Sequence, residues 1–249
     1  TAEFGGGIYI GGTTNPVNIQ ETTISNNESY NNGGGIFISG TRDVNIDKIT
    51  ISNNLAYQGG AISTNGVLNI INSIIYENKS TDTYCGQNDE MSIPYNEYDN
   101  HILNLDNGQL NIAFSLIDYY DIGICNNGIL NLVSGNIDAN PEFINTDLYD
   151  YRLSSSSPCI DNGHPSSNYN DPDGTRADMG AFYFDQIENP IIFGCTDEGA
   201  CNYNSEATDD DGSCTYAELY YFDADGDDLG DPNDTILACE DPGNNWVQN

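Results

Sequence analysis

Residues Gly33 to Asn54, GGGIFISGTRDVNIDKITISNN, are one copy of a unit that recurs through the first half of the chain. The opening Gly5-Gly-Gly-Ile-Tyr-Ile returns as Gly33-Gly-Gly-Ile-Phe-Ile and again as Gly59-Gly-Ala-Ile. Behind these come five second half-units. Their first position is Val17, Val44, Leu68, Leu110 and Leu130, and their third is Ile19, Ile46, Ile70, Ile112 and Leu132. Between the two stands Asn18, Asn45, Asn69, Asn111 and Asn131. Apolar, polar, apolar is the two-residue period of a half-buried strand. The eighth position, Ile24, Ile51, Ile75, Ile117 and Ile137, reads as a second strand facing the same core. Gly or Asn is expected at the bends between strands, where the chain turns through positive φ.

Like positions lie 28 residues apart from Ile8 to Ile36, and 27 apart from Val17 to Val44. A period of that length marks a solenoid, because one turn cannot bury its own apolar face and must stack on the next. Short β-rich turns stacked in parallel, about 4.8 Å per coil, make an all-β parallel β-helix, with Ile stacks inside and Asn ladders at the bends. The hand is taken as right, as it is for nearly all parallel crossovers. Gly-Gly-Gly runs, β-branched residues and Asn-Asn pairs oppose a helical solenoid. A β-sandwich with strands every 8–12 residues is the competing fold, but it gives no reason for the same apolar positions to return in register.

On this reading residues 1–140 are the coils, interrupted by an insertion at 79–105. That insertion carries Tyr84, Tyr95 and Tyr98, side chains suited to stacking on a glycan, together with Cys85 and His101. Inserted loops on a rigid scaffold are frequent carriers of function. Cys85 and Cys125 follow successive half-units and fall on neighbouring coils, within disulfide reach. Residues 141–187 read as a segment that caps the open end of the solenoid, where strand edges and apolar stacks need cover.

Lys and Arg total 5 against 39 Asp and Glu, a formal charge of −34. A surface of that sign excludes nucleic acid, whose phosphates need a basic footprint, and it attracts cations. No apolar run approaches the roughly 18 residues of a membrane span. Seven cysteines suit an oxidising compartment, and their odd number leaves one over, for which Cys159 is the candidate. A chain that opens inside one repeat and stops inside another motif reads as a piece of something longer.

Three later stretches carry resemblances. NPEF from Asn140, DYRLSSSSPCIDNG from Asp150 and DPDGTRADMGAFYF from Asp171 resemble the closing segment of secreted right-handed parallel β-helix proteins of Bacteroidota. With the GGGI…NI…ISNN units, residues 1 to about 185 resemble the polymorphic-outer-membrane-protein type of surface β-helix. After a linker at 186–190, residues 191–249 contain no Lys or Arg and hold four of the cysteines. GCTDEGACNYNSEATDDDGSCTY, Gly194 to Tyr216, resembles a Cys-rich module of secreted, type IX-exported proteins of the same bacteria. YYFDADGDDLGDPNDT, Tyr220 to Thr235, resembles thrombospondin type 3-like calcium repeats. The resemblances imply an extracellular surface or appendage protein.

The chemistry of the last stretch is legible directly. Asp223, Asp225 and Asp227 alternate and converge if Gly226 bends the loop, Asp231 closes from the far side, and a carbonyl near Leu229 adds a ligand. Hard carboxylate oxygens at that spacing suit Ca²⁺, and the missing bidentate Glu at position 12 sets the loop apart from an EF-hand. Asp209, Asp210 and Asp211 form a second candidate. Cys195, Cys201, Cys214 and Cys239 allow three pairings, all left open by the sequence, and so small a module needs such staples.

An enzyme is the competing function, because polysaccharide lyases and hydrolases share the β-helix. A lyase needs a basic residue, and the whole supply is Arg42, Lys48, Lys79, Arg152 and Arg176. A hydrolase needs a carboxylate pair, for which Asp118 and Asp138 hold like places in neighbouring half-units. An ice-binding threonine ladder starts at Thr23 and Thr50 but meets Ile74, Leu116 and Asn136 in the next units. Thr235, in Asp-Thr-Ile, fits a loose O-glycosylation pattern, and Asn27, Asn78 and Asn233 open N-x-Ser/Thr sequons. The balance is a non-enzymatic, calcium-stabilised stalk or adhesin segment, whose partners are a cell-surface glycan or further copies of itself in an appendage or filament.

Overall fold

The computed structural model describes residues 2–12, 15–40, 43–81, 102–104, 108–117, 122–124, 128–188, 192–243 and 245–249. The chain forms two compact units, Thr1–Asp185 and Gln186–Asn249. The first is built of strands, short 3-10 turns and loops and the second of strands and loops, with no α-helix among the described residues.

In the first unit each repeat supplies one strand to each of two parallel ladders. The strands run in chain order β1 (Ile8–Gly11), β2 (Val17–Ser25), β3 (Ile36–Ser39), β4 (Asp43–Ser52), β5 (Leu55–Ala56), β6 (Ile62–Thr64), β7 (Val67–Ile71), β8 (Ile74–Tyr76) and β9 (Lys79–Ser80). They continue with β10 (Ile102–Asn104), β11 (Gln109–Ala113), β12 (Leu116–Ile117), β13 (Ile122–Ile124) and β14 (Ile129–Leu132). The first ladder is β1-β3-β6-β10-β13. The second stacks β2, β4, β7, β11 and β14, with β4 also pairing β8 and β8 pairing β12. Every pairing in both ladders is parallel, which sets aside the sandwich.

The register is the one the repeat demands. Val44 pairs with Leu68, Leu68 with Leu110 and Leu110 with Leu130, and Ile51 pairs with Ile75. These residues point inward. Val44, Leu68, Leu110, Ile46, Ile70, Ile112, Ile51, Ile75 and Ile117 are all 2% exposed or less. Burial of each such side chain stabilises the fold by roughly 1.5–3 kcal/mol.

The bends depart from expectation. The positive-φ corner between the two strands of a half-unit is held by Glu21, Lys48, Asn72 and Phe114, with φ from 47° to 51°. Only one of the four is Gly or Asn. The corner is imposed by stacking on the turns above and below rather than by residue preference. In the fifth unit the equivalent place is Ser134, and the left-handed conformation passes instead to Gly135, φ 82°. That one-residue slip carries through. Counting from Leu130 puts Ile137 level with Ile117, but Ile137 pairs with Leu116. It therefore leaves the interior and packs against Leu116 and Ile74 on the outer side.

The segment 141–185 does not cover the open end. It opens with an antiparallel hairpin, β15 (Phe143–Asn145) and β16 (Asp150–Leu153), and then runs back along the flank of the ladder. Tyr151 Oη accepts from Asn26 and Asn53 Nδ2, at 3.0 and 3.4 Å. Ala181 N donates to Thr50 Oγ1 at 3.0 Å, Gly180 N to the Asn72 carbonyl at 2.8 Å, and His164 N to Asn72 Oδ1 at 2.6 Å. Leu153, Cys159 and Met179 bury Ile74 and Leu116 beneath them. The reason is the apolar column at the outward position, where Thr50, Ile74, Leu116 and Ile137 follow one another in register. This is the column in which the Thr23–Thr50 ladder ends, and it demands cover along the side. At the far end Ile129 and Leu132 of β14 stay 52% and 45% exposed.

An ion pair, Lys48 Nζ to Asp171 Oδ1 at 2.6 Å, pins the flanking segment. Asp171 Oδ2 accepts from Asp178 N, and Asp178 accepts from the amides of Asp161 and Phe184. Burial pushes the Asp171 carboxyl up against the pull of Lys48, and pushes that of Asp178 to about 7.

Candidate metal centre

The second unit is small and stapled. Cys195 is bonded to Cys214 and Cys201 to Cys239, with Cα atoms 4.8 and 5.5 Å apart, which selects one of the three pairings. Disulfides of this kind belong to proteins that fold outside the reducing cytoplasm. A short parallel pair, β17 (Phe193–Gly194) with β18 (Asp209–Asp210), holds the Cys-rich half together. Across it, Tyr216 Oη donates to Asp197 Oδ2 at 2.8 Å. The amide of Gly199 and this hydroxyl hold the Asp197 carboxyl below the usual range, while Asp197 pushes the Tyr216 phenol up.

The acidic half is a three-stranded antiparallel sheet. In it β19 (Glu218–Phe222) lies between β20 (Asp231–Ala238) and β21 (Trp246–Val247). Phe222 and Trp246 meet edge to face, with ring centroids 5.4 Å apart. The loop from β19 to β20 is held at both ends. Asp223 N donates to the Asn245 carbonyl at 2.7 Å, and Gly230 exchanges two hydrogen bonds with the Asn249 carboxamide at 2.8 and 3.0 Å.

Within that loop Asp223 folds the chain around itself. Its Oδ1 accepts from Gly226 N at 2.8 Å and Asp227 N at 3.3 Å, and its Oδ2 from Asp228 N at 3.0 Å. Gly226 takes φ 77° and Asp228 φ 67° to allow this. Burial opposes ionisation of Asp223, but the amides of Gly226, Asp228 and Asp227, helped by Asp225, outweigh it and hold the carboxyl below its ordinary value. Carboxylate oxygens of Asp223, Asp225 and Asp227 come within 4.8 Å of one another. Asp223 is 5% exposed, and the other two face solvent. Negative charge gathered on carboxylates that close is self-repelling, and a bound hard cation relieves the repulsion. The donor set is all oxygen and flexible, which fits Ca²⁺ better than Zn²⁺.

Asp231 is not in the group. It opens β20, and its Oδ1 accepts from both nitrogens of Asn233, which hold its carboxyl below the usual range. Leu229 is 68% exposed, and its amide donates to Asp227 Oδ1. Asp209 lies in β18 and Asp211 caps Ser213 N. Neither they nor Asp210 join a cluster of three among the described residues. No family model, no curated protein and no solved structure matches this chain.

The remaining candidates are placed as follows. Tyr84, Tyr95, Tyr98, His101, Cys85, Cys125 and Asp118 lie outside the described residues. Asp138 is exposed and follows Ile137, which bridges Leu116 rather than Ile117. Thr235 sits exposed on β20 opposite Tyr221. Asn78 is fully buried and Asn27 is bonded to Asn54, so neither sequon is open to modification in the fold, whereas Asn233 is exposed. Cys159 is buried and unbonded, and burial pushes its thiol up to about 12. The second position of the half-units, Asn18 to Asn131, forms an outward ladder on the strands as the alternation predicts, and the asparagine ladder expected at the bends is Asn27, Asn54 and Asn78. Nothing in the sequence signals that the flanking segment brings Tyr169 beside the first of these.

Proposed function

We propose that this chain is a non-enzymatic segment of a secreted surface protein. Its first unit is a right-handed parallel β-helix serving as a stiff stalk, and its second is a disulfide-stapled module that binds Ca²⁺ through Asp223, Asp225 and Asp227. The observation that carries the reading is the convergence of those three carboxylates on a loop already shaped by Asp223. The parallel register of the two ladders supports the stalk, since stacked repeats contact only their neighbours. The two disulfides and the charge of −34 support an extracellular, cation-rich setting.

Calorimetric titration of the metal-stripped full chain with CaCl₂ tests the metal assignment. One saturable site is expected, lost in the Asp225→Asn, Asp227→Asn double variant. Absence of heat, or binding that survives the double variant, removes the second unit from the reading.

A further inference from the structure

The outer face of the second ladder holds a feature that the calcium loop does not explain. A trench of about 370 Å³ runs across the stacked strands, floored by Asn45, Asn69 and Asn111, with Ile71 and Ala113 beside them and Tyr169 as its wall. The asparagines form a continuous amide ladder. Asn45 donates to Asn18 at 2.9 Å, Asn69 to Asn45 at 2.8 Å, Asn111 to Asn69 at 2.6 Å and Asn131 to Asn111 at 2.7 Å. Asn45 and Asn69 each spend one N–H and one lone pair in the ladder and keep one of each.

The wall is built rather than incidental. Tyr169 lies 4.5 Å from the His164 ring, and His164 lies 4.7 Å from Phe114, at the corner of the fourth turn. The backbone of His164 is tied to Asn72, which is fully buried and also donates to Asp47 at 2.9 Å. Asp47 is the sole charged residue lining the trench among those described, and Asn72 occupies its Oδ1. An uncharged floor of carboxamides on a chain with 39 acidic residues is where the surface stops repelling polymers and offers hydrogen bonds instead.

We propose that this trench binds a neutral polysaccharide strand lying along the stack of turns. The ladder repeats about every 4.8 Å, close to the advance of one sugar residue in an extended β-linked glycan, so successive hydroxyls meet successive carboxamides. Tyr169 offers an apolar ring face with a polar tip, the combination that grips a sugar ring at low entropic cost. Uronate polymers are disfavoured by the sign of the surrounding surface. The proposal rests on the surface-module reading and supplies the ligand class that reading lacks.

Calorimetry of the full chain with cellohexaose and chitohexaose, and with polygalacturonate as the anionic control, tests it. Binding of a neutral hexaose is expected, weakened about tenfold by Tyr169→Ala, retained in Tyr169→Phe and abolished by Ala113→Arg, with the thermal melt of each variant confirming its fold. Failure of both neutral hexaoses to bind, or binding untouched by Tyr169→Ala and Ala113→Arg, overturns the trench and leaves the calcium stalk standing. Binding accompanied by cleavage of the hexaose supports the trench and overturns the non-enzymatic reading.

Discussion

Asn78 Oδ1 accepts two hydrogen bonds from Asn54, one from its backbone amide at 3.1 Å and one from its Nδ2 at 2.8 Å. Asn54 repeats the same pair toward Asn27 one turn away. These carboxamides stand at the bends and close the backbone bonds that the strands cannot. Asn54 Nδ2 also donates to the carbonyls of Ile24 and Ser52. Asn54→Ala strands several buried groups at once and is expected to cost about 3 kcal/mol or more. Asn54→Asp should cost more still, because it keeps the acceptor, loses the donors and buries a charge. Chemical denaturation reads both.

The Gly-Gly-Gly start of the first two turns is a matter of space between turns. Gly33 takes φ 68°. A Cβ on Gly34 would come within 2.7 Å of the Leu55 carbonyl oxygen and closer still to that of Gly60. Both obstacles are backbone and cannot swing away. Gly34→Ala is expected to destabilise the first unit by about 2 kcal/mol or more. Gly174→Ala, with open space at its Cβ, bears only the cost of its φ of 91° and should lose less, by the same denaturation curves.

The two units respond to pH with opposite signs. Asp178 and Asp171 of the first unit have carboxyls raised above their ordinary 3.8. Each contributes stability that is complete below that value and is lost as pH rises through its raised value, about 7 for Asp178. Asp223 and Asp231 of the second unit are lowered. Their contribution is present above the ordinary value and is lost as pH falls through the lowered one. The melt of 1–185 within the full chain should therefore be higher at pH 5 than at pH 8, and Asp178→Asn should flatten that slope. The transition of 186–249 should hold over this range and fall only below about pH 4.

Reduction divides the units in another way. Loss of a native disulfide from a small domain costs roughly 2–5 kcal/mol. Mild reductant should unfold 186–249, and its near-ultraviolet signal from Trp246 should collapse. Cys159 is fully buried with its thiol pushed to about 12, so it should resist alkylation until 1–185 itself unfolds. Mass mapping of iodoacetamide adducts reads both outcomes.

The parallel ladders and their register were legible because the core positions repeat, and each apolar column must align or lose its burial. The bends were not, because a residue such as Lys48 or Phe114 has no intrinsic preference for a left-handed corner and takes it only when stacked turns require it. The slip at Ile137 goes with Gly135 taking the corner instead of Ser134, against the Phe114 ring, which would overlap a Cβ there. The flanking course of 141–185 depends on the outward Ile74 and Leu116, which alternation alone marks as solvent-facing. In the acidic loop the Asp223, Asp225, Asp227 alternation was enough, since short spacing and one glycine fix where carboxylates meet. Asp231 stands apart from the three, its Oδ1 turned to both nitrogens of Asn233.

Thermal unfolding of the full chain, metal-stripped and then titrated with CaCl₂, tests the proposed calcium site most directly. Calcium at a hundredfold excess over its dissociation constant should stabilise the 186–249 transition by about 2.7 kcal/mol, leave the 1–185 transition where it was, and do neither in the Asp225→Asn, Asp227→Asn variant. A 186–249 transition that calcium does not move, or one that moves equally in the variant, contradicts the proposed role of the Asp223 loop.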